Sequence, residues 1–190
     1  MEYTELDLRS PAVLLNTYLQ DFPKLGLKWA DSTSEWTAKN LDYFRQLAKS
    51  RGVPCCYPDP EKGTSEYLVD LCWQECDEDW ARYRWLELVL EQEWSRDLDE
   101  IHHDFCKLVD LKAYVKVFIC SPKEAERDDA VKALTQTVSI CGIKHPDESY
   151  LLIVFSRDPR RKEGERIQIE GFEIDYRGRL TQLGSKLFPD

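Results

Sequence analysis

The chain has 190 residues, which is enough for one domain with a sizeable core, and its formal net charge is −10 at pH 7. This charge excludes broad electrostatic attraction to nucleic acid or anionic lipid, although a local basic patch or a bound cation reverses the field at a single site. Hydrophobic residues make up 42% of the chain, which excludes disorder for most of it, and no apolar run reaches the roughly 18 residues of a membrane span.

The cysteines and the N-terminal residues indicate the compartment. There are seven cysteines, an odd number, and their spacing matches no disulfide framework. The first residues are acidic and polar, which is the opposite of a secretory signal. We therefore expect a protein of the reducing cytoplasm, with no membrane association.

Turn residues and hydrophobic periodicity predict the elements in chain order. The predicted helices span residues 10–19, 34–50, 97–112 and 124–141. The predicted strands span residues 66–73, 85–94, 114–120 and 150–155, with a terminal pair in 166–180 that turns near Gly171 or Gly178 and a brief strand before Pro58. Strands that alternate with crossover helices predict an α/β fold with a mixed central sheet flanked by helices.

Acidic residues mark two neighbouring predicted strands. Asp70 lies in EYLVDLCW, and in WLELVLEQEW the residues Glu87, Glu91 and Glu93 share one face by alternation. If these strands pair, Asp70 comes to lie near Glu91 and Glu93. Carboxylates held together on a half-buried sheet repel each other and lose hydration, and a divalent cation removes both penalties. The alternative is a solvated strand face, which the apolar residues around the acids disfavour.

These residues resemble a known superfamily. Asp70, then Glu91-Gln92-Glu93, then DFCKL at 104–108 are similar to the motif of the PD-(D/E)xK nucleases, which have a restriction-endonuclease-like fold. The resemblance covers residues 36–121 of a single domain, 1–190, with a helical extension at 1–35 and a C-terminal helix and strands at 122–190.

The resemblance implies an activity and a cofactor. It implies that Asp70 and Glu91, with the main-chain carbonyl of Gln92, bind Mg²⁺ or Mn²⁺, and that Glu93 holds a second metal or the attacking water. The expected reaction is hydrolysis of a phosphodiester bond in nucleic acid, with DNA as the favoured partner.

The catalytic lysine departs from the superfamily pattern, because Glu93 stands where a lysine is expected. Some members carry this lysine on the following helix, and Lys107 in DFCKL matches that arrangement. On a helical wheel Lys107 lies about 135° from the centre of the apolar stripe, at about 100° per residue. Lys112 and Lys116 are therefore alternatives for the catalytic lysine. For each of these lysines, the alternative to a catalytic role is a surface residue whose apolar stem packs on the protein while its charge stays in water.

A basic run follows the predicted strand at 150–155. Its cationic residues are Arg157, Arg160, Arg161 and Lys162. They are predicted to contact substrate phosphates, and the alternative is a charged surface loop.

Two other interpretations of the sequence remain open. The first is a catalytically inactive relative that acts as a protein-interaction or regulatory module, as a homodimer or with another protein. The second is a zinc-stabilised domain that uses His102 with Cys106 and Cys72 with Cys76. The two thiols of an extended strand would lie about 13 Å apart, which disfavours zinc.

Overall fold

A computed structural model describes residues 7–57, 68–76, 83–157 and 166–189. Within these ranges the helices are α1 (Pro11–Leu25), α2 (Thr33–Ser50), α3 (Leu98–Asp110) and α4 (Arg127–Ile140), the last preceded by a 3₁₀ turn at Glu124–Glu126. The strands are β1 (Cys55–Cys56), β2 (Leu71–Cys76), β3 (Tyr83–Glu93), β4 (Ala113–Cys120), β5 (Ser149–Arg157), β6 (Arg166–Asp175) and β7 (Leu180–Pro189). None of the helices in the described ranges is long and apolar enough to cross a membrane.

The seven strands form one sheet whose spatial order is the order of the chain. Strands β1, β2 and β3 pair antiparallel, and so do β5, β6 and β7. The central strands β3, β4 and β5 run parallel, and α3 and α4 make the two crossovers between them. The prediction of an α/β fold with a mixed central sheet is confirmed.

Helices cover both faces of this sheet. Alternation along β2 sends Leu71 and Trp73 into the apolar layer under α1 and α2, and it sends Cys72 into the layer under α3 and α4. Phe44 of α2 and Phe105 of α3 are fully buried, one in each layer. The central strands are therefore buried on both sides, which explains their almost continuous apolar sequence.

The beginnings of α2 and α3 are fixed by capping. The side chain of Ser32 accepts a hydrogen bond from the Glu35 N–H, and the Glu35 carboxylate accepts one from the Ser32 N–H, which is a capping box. Asp97 caps α3 by accepting from the Asp99 N–H. Because both caps lie at the end of the sheet where β3 ends, they fix the helices that border the candidate site.

Several element ends differ from the prediction. Helix α1 was predicted to stop at residue 19, but it continues to Leu25 because Phe22 adds a buried side chain to its apolar face. Strand β2 begins at Leu71, so Asp70 lies immediately before the strand rather than within it. The terminal strands turn at Gly178, whose φ is +79°, whereas Gly171 lies inside β6.

Close packing explains the glycine at position 171. A Cβ atom there would lie 2.1 Å from Cδ2 of Leu15, which belongs to α1. The missing side chain lets α1 approach the sheet at β6.

A β-bulge changes the direction of Glu87. In the β2–β3 register Trp73 faces Leu88 and Gln74 faces Leu86, so Glu87 has no partner. Oε1 of Glu87 lies 2.8 Å from Nη1 of Arg51, the residue that follows α2. The prediction that Glu87 shares a face with the other two glutamates is therefore wrong.

Candidate active site

The candidate site lies where β2 begins and β3 ends. The register pairs Leu71 with Leu90 and so brings Asp70 beside Glu91. The Asp70 N–H donates to Oε2 of Glu91 at 3.0 Å, and the Gln92 N–H donates to Oδ2 of Asp70 at 2.9 Å. Each carboxylate thus receives a hydrogen bond from the main chain of the other segment, which fixes the two acids relative to each other.

Helix α3 adds a lysine to these acids. Lys107 Nζ lies 2.7 Å from Oε1 of Glu91 and 2.8 Å from Oδ1 of Asp104, which is also on α3. The Glu91 side chain is only 5% exposed. Burial raises the pKa of Glu91 above its ordinary value, while the hydrogen bonds from Lys107 and from the Asp70 N–H oppose this change.

Lys107 remains charged in this position. Burial by itself would lower the pKa of its ammonium group, but hydrogen bonds to Asp104 and Glu91 outweigh burial and raise that pKa. The two alternative lysines lie elsewhere. Lys116 is fully buried, with Nζ 2.9 Å from Oε2 of Glu148, and Lys112 is exposed. Of the three lysines considered, Lys107 is the one placed with Glu91.

Glu93 is the next acid along β3, and it forms a hydrogen bond with Asp104. Burial is the first cause of the raised pKa of Glu93, and the neighbouring Asp104 is the second. For Asp104, burial would raise the pKa, but hydrogen bonds with Glu93 and Lys107 lower it. Glu93 is therefore the weaker acid of this pair.

We name Asp70, Glu91, Glu93, Asp104 and Lys107 the carboxylate cluster. Asp104 lies in the DFCKL segment, but the resemblance to the superfamily gives it no role. The signal was present, because an acid three residues before a lysine on a helix lies beside it.

The cluster lies at the edge of the sheet where the parallel strands β3, β4 and β5 end. In open α/β sheets this edge is the usual place for ligands. Arg157, the last residue of β5, is exposed at the same edge. The other predicted phosphate contacts, Arg160, Arg161 and Lys162, lie outside the described residues.

The residues of the zinc interpretation have other contacts. His102 Nε2 lies 2.8 Å from the hydroxyl of Thr137 and 3.9 Å from the sulfur of Cys106. Cys72 is buried, and the side chain of Cys76 lies outside the described part. Across the described ranges, no three histidine, cysteine or acidic side chains form a ready-made metal centre.

Comparison with known proteins adds no family assignment. No model of a protein family matches the chain, and no curated protein matches it. The carboxylate cluster and its place on the sheet are therefore the basis for a functional proposal.

Proposed function

We propose that the chain is a Mg²⁺- or Mn²⁺-dependent nuclease of the PD-(D/E)xK type that hydrolyses phosphodiester bonds in DNA. The observation that supports this most strongly is the contact of Lys107, on α3, with Glu91, which is itself joined to Asp70. An acid before one strand, an acid on the next and a lysine on the following helix correspond to the migrated-lysine arrangement. The order of β2, β3, α3 and β4 is also consistent with a restriction-endonuclease-like core.

The residues fit a divalent cation. Mg²⁺ in proteins is commonly held by one or two carboxylates and keeps several waters, so a ready-made cage of three acids is not required. Asp70, Glu91 and the main-chain carbonyl of Gln92 would hold the ion, and all three supply hard oxygen donors. When bound, the cation would lower the pKa of a water molecule and polarise the phosphodiester.

The remaining residues of the cluster have separate tasks in this proposal. Lys107, kept charged by two carboxylates, would offset negative charge that develops on the phosphoryl oxygens. Glu93, whose pKa burial and the neighbouring Asp104 raise, would position water and exchange a proton with it. Arg157 would bind the substrate backbone at the same edge of the sheet.

One observation favours a second candidate, a non-catalytic module that binds another protein. Both carboxylate oxygens of Glu91 already accept hydrogen bonds from protein donors, one from Lys107 and one from Asp70. The hydrogen bonds of Glu91 are therefore satisfied by the protein without a metal ion. The net charge of −10 also opposes binding of DNA without a cation.

Thermal unfolding in the presence of Mn²⁺ separates these candidates. At a Mn²⁺ concentration about 100 times the dissociation constant, binding stabilises the folded state by about 2.7 kcal/mol. For a domain of this size that corresponds to an increase in Tm of about 5–10 °C. Asp70→Asn should abolish the increase, while Asp147→Asn, in an exposed loop, should retain it.

A cleavage assay completes the test. With DNA offered both as a single-stranded oligonucleotide and as a plasmid, we expect Mn²⁺-dependent cleavage by the wild-type protein and by Asp147→Asn, and none by Asp70→Asn or Lys107→Met. An unchanged Tm with Mn²⁺, no cleavage and a stable complex with a second protein would support the interaction module instead.

A further inference from the structure

A groove borders the carboxylate cluster on the side of the sheet that α2 covers. Its volume is about 680 Å³, and its walls come from two places in the chain. One wall is the beginning of α2, with Thr33, Ser34 and Thr37, and the other is the end of β3 with the residues after it, Gln92 to Ser95. Glu93 belongs to both the groove and the carboxylate cluster, so a molecule in the groove lies next to the proposed cation.

A smaller aromatic hollow of about 110 Å³ adjoins this groove and shares Thr33 and Trp94 with it. Its aromatic walls are Trp29, Trp36, Trp94 and Phe155. The ring centroids of Trp36 and Trp94 lie 5.3 Å apart, and Trp94 Nε1 donates to the Thr37 hydroxyl at 3.0 Å. These contacts fix the ring of Trp94, while Trp29 and Trp94 remain half-buried and so present part of their surfaces.

Polar groups surround the aromatic surface. The guanidinium of Arg96 lies 5.5 Å from the ring centroid of Trp29. Gln92 is only 8% exposed, and neither its amide nitrogen nor its amide oxygen has a hydrogen-bond partner in the described residues. A buried amide with both groups unpaired is costly, and because Gln92 also lines the groove, a shift of its side chain would let it hydrogen-bond to a polar molecule there.

We propose that this groove and hollow bind an unpaired nucleotide, so that the substrate is single-stranded DNA or a frayed DNA end. The base would stack on Trp29 and Trp94, as bases do on the aromatic residues of single-strand binding proteins. Bases within a duplex are already paired and stacked, and they do not offer a free face to a recessed indole. The inference rests on the proposed nuclease function and specifies its substrate.

The charges around the groove determine the orientation of the nucleotide. Asp31 lines the hollow, and its carboxylate repels phosphate from the aromatic floor. Arg96, which is exposed beside the hollow, and the cation proposed at the carboxylate cluster attract it. A nucleotide therefore enters base first, with its phosphate at the cluster, where hydrolysis is proposed to occur.

Fluorescence anisotropy of a labelled oligothymidylate and of a labelled duplex tests this inference. Ca²⁺ replaces Mg²⁺, and a gel checks that the DNA stays intact. We expect the wild type to bind the single strand at least about tenfold more tightly than the duplex, and Trp29→Ala to weaken single-strand binding by about tenfold. Arg96→Gln should reduce the salt dependence of single-strand binding by the amount expected for the loss of about one phosphate contact.

Two further variants make the measurement specific. Trp94→Leu should also weaken binding, and circular dichroism shows whether each variant is folded. Trp85→Ala is the matched control, because Trp85 is also half-buried but lies at the other end of β3, against Tyr114 and His145. Its affinity for the single strand should equal that of the wild type.

The outcomes separate the two proposals. Equal binding of duplex and single strand, or wild-type affinity in folded Trp29→Ala and Trp94→Leu, overturns the inference even if plasmid DNA is cleaved with Mn²⁺. Single-strand binding that depends on both tryptophans supports it. If such binding occurs without any cleavage, the nucleotide site stands and the nuclease proposal fails.

Discussion

Replacing Lys107 with methionine tests whether the carboxylate cluster is an electrostatic unit. The substitution keeps the length of the side chain and removes its charge. Glu91 then remains 5% exposed without its cation, although it retains the hydrogen bond from the Asp70 N–H. Breaking a fully buried ion pair costs about 3–5 kcal/mol, and an exposed pair contributes about 0.2–1 kcal/mol. Because Lys107 is 39% exposed, we expect an intermediate loss of about 1–3 kcal/mol in the free energy of unfolding.

The loss of folding stability in Lys107→Met should depend on pH. Burial already raises the pKa of Glu91, and removing Lys107 raises it further. A pKa that is higher in the folded state than in the unfolded state means that stability is present at low pH and is lost as the pH rises through the folded-state pKa. The difference between wild type and Lys107→Met should therefore be larger at about pH 7.5 than at about pH 5.

Urea unfolding at both pH values measures this difference. Lys112→Met is the control, since Lys112 is an exposed lysine two residues after α3. Its substitution should change the free energy of unfolding by less than about 0.5 kcal/mol. A loss in Lys107→Met that is no larger than in the control, or that is equal at both pH values, would refute the reasoning.

Two more substitutions test the core on either side of the sheet. Lys116→Met leaves Glu148 buried without its cation, and urea unfolding should show a loss of about 3–5 kcal/mol, part of which Glu148→Met in the same chain restores. Gly171→Ala forces a Cβ against Leu15, and calorimetry should show a lower Tm, with a loss of about 1–3 kcal/mol. Gly184→Ala, on the paired position of β7 where the added Cβ has open space, should leave the Tm almost unchanged.

The sequence predicted the main features of the cluster because strand alternation is a local property. Pairing of the two predicted strands is enough to bring Asp70 beside Glu91, and the observed register, with Leu71 opposite Leu90, has this effect. The bulge at Glu87 had no such signal. A bulge is set by how two strands and the helix above them fit together, and here Arg51 supplies the partner that stabilises the displaced carboxylate.

The lysine shows a different limit of sequence reasoning. A helical wheel gives the direction of the Cα–Cβ bond, and by that measure Lys107 points away from the sheet. Its flexible four-carbon stem carries the ammonium group round the helix to Glu91, with Asp104 as a second anchor. Similarly, the choice between Gly171 and Gly178 as the turn depended on the approach of Leu15 to β6, which is a tertiary contact.

The coincidence of sheet order with chain order has a consequence for how this molecule assembles. Each strand finds its hydrogen-bonding partner in the strand made just before it, so each pairing closes at most one helical crossover, and this limits the entropic cost of closure. During synthesis each new strand is added to an edge that already exists, and no later segment has to be inserted between earlier ones.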